Sequence, residues 1–147
     1  MVELENSEII EKLLNTLINI SGRKTNKGHA INTLDSVLKR LQVKYDFFEH
    51  IKINDTRYVE DDNTVSVMSD IDSIDSSNVG MALSDIIKTF DNALGKDAGY
   101  FFIKEIRNNL DDDYEFSMSA MGVDLSLMQL EREVIKLEKS VTKKLEE

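Results

Sequence analysis

Val79, Leu83, Ile86, Ile87, Phe90 and Leu94 recur at intervals of three and four residues, and Gly95 follows the last of them. With about 3.6 residues per turn, that spacing puts all six on one side of a helix, which must then bury that side against other elements. We expect this helix at the centre of the core, with Gly80 and Ala82 near its start allowing a neighbour to approach closely. Gly95 suits the position just past its end.

The neighbours it needs carry the same period. Ile10, Leu13, Leu14, Leu17 and Ile18 form one stripe after Ser7, a suitable N-cap, with Glu8 and Glu11 in its first turn. A second stripe follows in Ala30, Ile31, Leu34, Val37, Leu38 and Leu41, reaching Tyr45, and the two predict a helical hairpin. Proline is absent altogether, so nothing of that kind breaks a helix, and turns must be built from Gly, Asn, Asp and Ser.

From about Phe47 the period changes to two. Ile51 and Ile53, then Tyr58, then Val65 and Val67 alternate with polar residues, separated by turn-forming Asn54-Asp55 and Asp61-Asp62-Asn63. The pattern predicts a three-stranded antiparallel meander with Ile51, Ile53, Val65 and Val67 facing the helices. Residues 69–78 form a polar linker rich in helix-capping side chains.

Beyond Gly99, Phe102, Ile103, Ile106 and Leu110 share a helical face, leaving Tyr100 or Phe101 to point elsewhere, into a pocket or an interface. Asp111-Asp112-Asp113 opens a short helix with Tyr114, Met118 and Met121 that Gly122 ends. Asp124 can then cap a last helix in which Leu127, Leu130, Val134, Leu137 and Val141 follow the seam spacing of a coiled coil, until Lys144 interrupts it. Leu125, Met128 and Ile135 widen that apolar surface. With Leu127 at position a, Glu131 and Glu133 fall at e and g. A parallel homodimer would bring like charges together, which favours antiparallel pairing or docking on another surface; the stripe could also fold back on its own domain.

The expected fold is α+β: an N-terminal helical hairpin, a small three-stranded antiparallel meander, then several helices ending in a long one. A single domain over 1–123 and a C-terminal amphipathic helix over 124–147, serving as an association element, is the expected organisation. At 147 residues and 41% hydrophobic content the chain can bury a real core without a disulfide.

Composition narrows the function. A net charge of -10 opposes binding to nucleic acid or an anionic membrane. With no cysteine and only His29 and His50, neither a thiolate nucleophile nor a His/Cys metal site is expected, and no cofactor is implied. The acidic N-terminus is unlike a signal peptide, and no apolar run suffices for a bilayer span, so a cytoplasmic protein is expected. The Asp70–Asp75 region fails the calcium-loop register, with Asp75 where glycine is needed and Met81 where a bidentate glutamate is needed.

One basic island remains, residues 21–29. Arg23, Lys24, Thr25, Asn26, Lys27 and His29 lie between or beside Gly22 and Gly28, just before the second helix. Cations at a helix N-terminus favour an anion, so this loop is the candidate site for a small phosphorylated ligand. It is not a P-loop: five residues separate its glycines, and His29-Ala30 stands where Lys-Ser/Thr is required. Nothing assembles a base, nucleophile or oxyanion hole, and an enzyme is the least supported reading. The pattern favours a non-enzymatic interaction or regulatory module that associates through apolar helix faces with a second copy or another protein; an anion sensor at 21–29 is the alternative.

Overall fold

The first helix, α1 (Asn6–Lys24), is buried on nearly every side, because Ile9 and Ile20 extend the stripe of Ile10, Leu13, Leu14, Leu17 and Ile18 around it. In the computed structural model, which describes residues 4–54 and 64–146, it touches α2 (Lys27–Leu41), α3 (Ser76–Leu94), α4 (Phe102–Asn108) and α5 (Asp112–Ala120). The central helix is therefore α1. The expected one, α3, buries its whole stripe but meets fewer elements.

Ser7 is not the cap of α1. The helix begins after Glu5, whose N–H donates to the Glu8 carboxylate at 3.0 Å, and Ser7 lies in the first turn. Its N–H donates to Asp72 Oδ1 at 2.8 Å, while the Asn6 side chain donates to the carbonyls of Ile71 and Ile74 at 3.2 and 2.9 Å. These acceptors come from a 3-10 turn at Ser69–Ser73 and from Ile74 just after it, so a distant carboxylate satisfies an N–H of the first helical turn. The residues expected as a polar linker thus hold the start of α1, with Ile71 fully buried.

The small sheet contains β1 (Ile51–Ile53) and β2 (Val65–Val67), paired antiparallel with Ile51 opposite Val67 and Ile53 opposite Val65. The predicted meander is therefore wrong. In a meander the first and third strands run parallel with the second between them, whereas here the outer two bond directly; the middle strand expected around Tyr58 lies outside the described residues. Alternation holds: Val65 is fully buried, Ile51, Ile53 and Val67 pack on the core, and Lys52 and Ser66 face out. Asn15 on α1 covers the other edge of β2, its Oδ1 accepting from the N–H groups of Thr64 and Val65 at 3.1 and 3.0 Å. Upstream, Asp46–His50 is a 3-10 turn and not the start of a strand, because Phe48 turns inward to stack on Tyr45.

Asp75 caps α3, and Phe90 from its last turns meets the fully buried Phe102 of α4 at 6.1 Å between ring centroids. Near its start Gly80 faces the Met121 backbone, with no room for a side chain between them. The chain reverses at Gly122, whose φ of 97° suits glycine, and enters α6 (Leu125–Glu146) with Leu127 N–H donating to Asp124 Oδ1 at 3.0 Å. Leu125 and Met128 belong to the same core as the rest, so the core runs past residue 123 into the last helix. Among the described residues no helix is long and apolar enough to cross a membrane.

Candidate functional site

The last helix has two unlike faces. One docks on the domain through Leu125 and Met128, then through a polar network. Gln129 is nearly buried; its Oε1 accepts the Lys104 N–H at 3.1 Å and its Nε2 donates to the Tyr100 carbonyl at 3.3 Å. Arg132 Nε donates to Asp91 Oδ2 on α3 at 2.7 Å with both side chains largely buried, and its guanidinium also donates to the Tyr100 carbonyl. Charge-assisted bonds of this kind fix the direction of α6 more tightly than apolar contact alone.

The opposite face is uncovered. Leu127 is 50% exposed, Leu130 55%, Val134 45%, Leu137 62% and Val141 56%. They lie roughly half a turn round the helix from Leu125, Met128 and Arg132. Val134, Leu137 and Val141 line a shallow open groove. Glu131 and Glu138 flank the stripe on one side and Glu133 on the other, whereas Arg132 and Lys136 of α6 belong to the docking side.

Between that docking side, α3 and α4 lies a cleft of about 480 Å³. Ile103, Met128 and Ile135 give it apolar walls, and Lys88, Lys136 and Lys139 stand along it. The Lys136 ammonium sits 4.7 Å from the centre of the Tyr100 ring. Partial burial, reinforced by the neighbouring Arg132 charge and opposed by Asp91, holds its pKa below the ordinary lysine value. Tyr100 and Phe101 meet edge to face at 4.7 Å and are both partly exposed; Tyr100 is thus one wall of the Lys136 environment, while Phe102 is the core member of the aromatic triplet.

The basic segment is arranged differently from the expected loop. Helix α1 runs on through Lys24, so Arg23 and Lys24 stand at its carbonyl end and not at the start of α2. Lys24 Nζ donates to the Ala98 carbonyl at 2.7 Å and pairs with Glu105 of α4, tying two helices together. Thr25 Oγ1 donates back to the Ser21 carbonyl at 3.0 Å, and Asn26 caps α2 by accepting the His29 N–H at 2.8 Å. Lys27 and His29 are in the first turn of α2. Lys24 and Asn26 thus have structural work at this corner. Among the described residues no cluster of three or more His, Cys, Asp or Glu side chains could hold a metal ion, and Asp72 and Asp75 of the acidic stretch serve the starts of α1 and α3.

Sequence reasoning missed the cleft. Part of it was legible, since Arg132, Lys136 and Lys139 share one helical face; Lys88 and Asp91 come from another helix, and no local spacing connects them. No protein-family model, curated protein or solved structure matches this chain.

Proposed function

We propose that this protein is a non-enzymatic association module whose last helix receives a partner helix along Leu127, Leu130, Val134, Leu137 and Val141. One observation carries the reading: a seam-spaced apolar stripe remains about half exposed along α6, on the side turned away from its own domain. Burying the exposed half of five such side chains is worth roughly 4 to 7 kcal/mol before the cost of association.

Charge selects the partner. In a parallel pair of identical helices Glu133 would face Glu138, and in an antiparallel pair centred on the stripe Glu131 would face Glu138 of the other copy. Either arrangement sets like charges beside the seam, so a second copy is disfavoured. A helix with Lys or Arg beside its own apolar seam relieves the repulsion, and the net charge of -10 draws such a partner in. The cysteine-free composition suits a cytoplasmic setting for this pairing.

The test uses the full chain and a synthetic heptad peptide with leucine at the seam and lysine at its flanks. Light scattering should report a monomer, and calorimetry should detect the peptide but not its glutamate-flanked counterpart. Changing Val134 and Leu137 to Asp should leave circular dichroism unchanged and weaken binding by about a hundredfold. A dimer of the intact chain that the double substitution dissociates would assign the stripe to a second copy. Loss of the fold on substitution would assign it to the core, and either result defeats the proposal.

A further inference from the structure

We propose that the cleft between α3, α4 and α6 binds a small phosphomonoester with an apolar body. The site is distinct from the outward stripe of α6, because it uses the opposite side of that helix.

Its charge is unusual for this chain. Arg132 is neutralised by Asp91 and Glu131 offsets one lysine, which leaves an excess of two positive charges at the cleft of a protein whose net charge is -10. Among the described residues Lys88, Lys136 and Lys139 form no ion pair, although acids outnumber bases in the chain as a whole. Lys136 is also partly desolvated, resting on the Tyr100 ring with Arg132 nearby, so an arriving dianion would relieve a charge that the fold holds at a cost.

Shape and chemistry then narrow the ligand. A volume of about 480 Å³ is within the range of small-molecule sites. A phosphomonoester carries about -1.5 to -2 charge at neutral pH, which matches the local excess, whereas a carboxylate supplies half of it. Lysines act on phosphate as mobile point charges from several directions and need no bidentate geometry. Ile103, Met128 and Ile135 give the ligand's body an apolar wall, with Asn92 and Glu131 as polar lining beside the lysines, so the part of the ligand away from the phosphate should be largely apolar or aromatic.

Phenyl phosphate is the probe, titrated into the full isotope-labelled chain and followed by amide NMR, with benzoate, benzyl alcohol and inorganic phosphate in parallel. Shifts should be confined to residues 88–95, 103 and 128–139, and phenyl phosphate should bind about tenfold more tightly than benzoate or inorganic phosphate. Benzyl alcohol should cause none. Lys136→Gln and Lys88→Gln should each weaken phenyl phosphate at least about fivefold while leaving circular dichroism unchanged. Lys88 is an exposed position on a separate helix, so K88Q decides the matter if K136Q fails to fold. No localised shift by about 10 mM probe, equal shifts at residues 23–29, or binding indifferent to K88Q would each overturn the proposal.

Discussion

Replacing Gly80 with alanine tests how the base of α6 is set. A Cβ at that position would lie 2.0 Å from the Met121 carbonyl oxygen, 2.8 Å from its carbonyl carbon and 3.0 Å from its Cβ. The two nearest atoms are backbone, so no flexible side-chain tip can swing away. Two terms favour alanine: its better helix propensity, about 1 kcal/mol, and the smaller conformational freedom of the unfolded chain, about 0.4 to 1 kcal/mol. These overlap, so about 1 kcal/mol is their joint worth. Against them stands overpacking, typically about 1 to 3 kcal/mol and toward the upper end when backbone must move. The geometry puts the second above the first, and Gly80→Ala should destabilise the protein by about 1 to 2 kcal/mol net. Urea unfolding followed by circular dichroism measures this as a lowered midpoint at unchanged slope. Since the Met121–Gly122 turn delivers the chain to α6, amide shifts should also change at 118–128. A variant as stable as the parent, or more stable, would show that the α3–α5 approach is looser than described and would refute the argument.

Two further outcomes follow from the polar contacts. Asp91→Ala leaves the Arg132 guanidinium, and Arg132→Met the Asp91 carboxylate, largely buried without its partner, so each should cost about 2 to 4 kcal/mol. The double substitution should cost less than the sum, with hydrogen exchange quickening first in α6; additive effects would mean that the pair does not hold the helix. Midway along α3, the Tyr45 hydroxyl donates to Asp85 Oδ2 at 2.5 Å beside Lys44 Nζ at 3.0 Å. Burial, then the bond to Asp85, raises the Tyr45 pKa above its ordinary 10.0, with Lys44 opposing; for Asp85, burial pushes upward, but the bonds from Tyr45 and Lys44 prevail and hold it below 3.8. The tyrosine's contribution is therefore complete below pH 10.0 and lost as pH rises through its folded pKa. The aspartate's is present above pH 3.8 and lost as pH falls through its folded pKa. NMR titration of labelled tyrosine should show Tyr45 ionising later than free tyrosine, and Asp85→Asn should bring it back toward the ordinary value; no change in the variant would refute the coupling.

Periodicity is a local property, and where it was strong it told the truth. The stripe from Val79 to Leu94, the hairpin faces, the inward positions Ile51, Ile53, Val65 and Val67, and the Asp124 cap all depend on residues within a few positions of one another. Which partner each element met was decided by the tertiary structure. Strand pairing skipped the expected middle strand because the backbone partners of Ile51–Ile53 lie more than ten residues away, and only joint packing on α1 sets which segment arrives there. The cap of α1 moved to Glu5, which pairs locally with Glu8, while Asp72, far along the chain, supplies an acceptor for the Ser7 N–H. The basic segment lost its loop because α1 runs on to Lys24, whose ammonium is held by the Ala98 carbonyl and Glu105 from far along the chain. The same holds for α6. Its amphipathic stripe was legible, yet its exposure follows from Arg132 and Gln129 docking the other side, with acceptors that α3 and the Tyr100 turn bring to meet them.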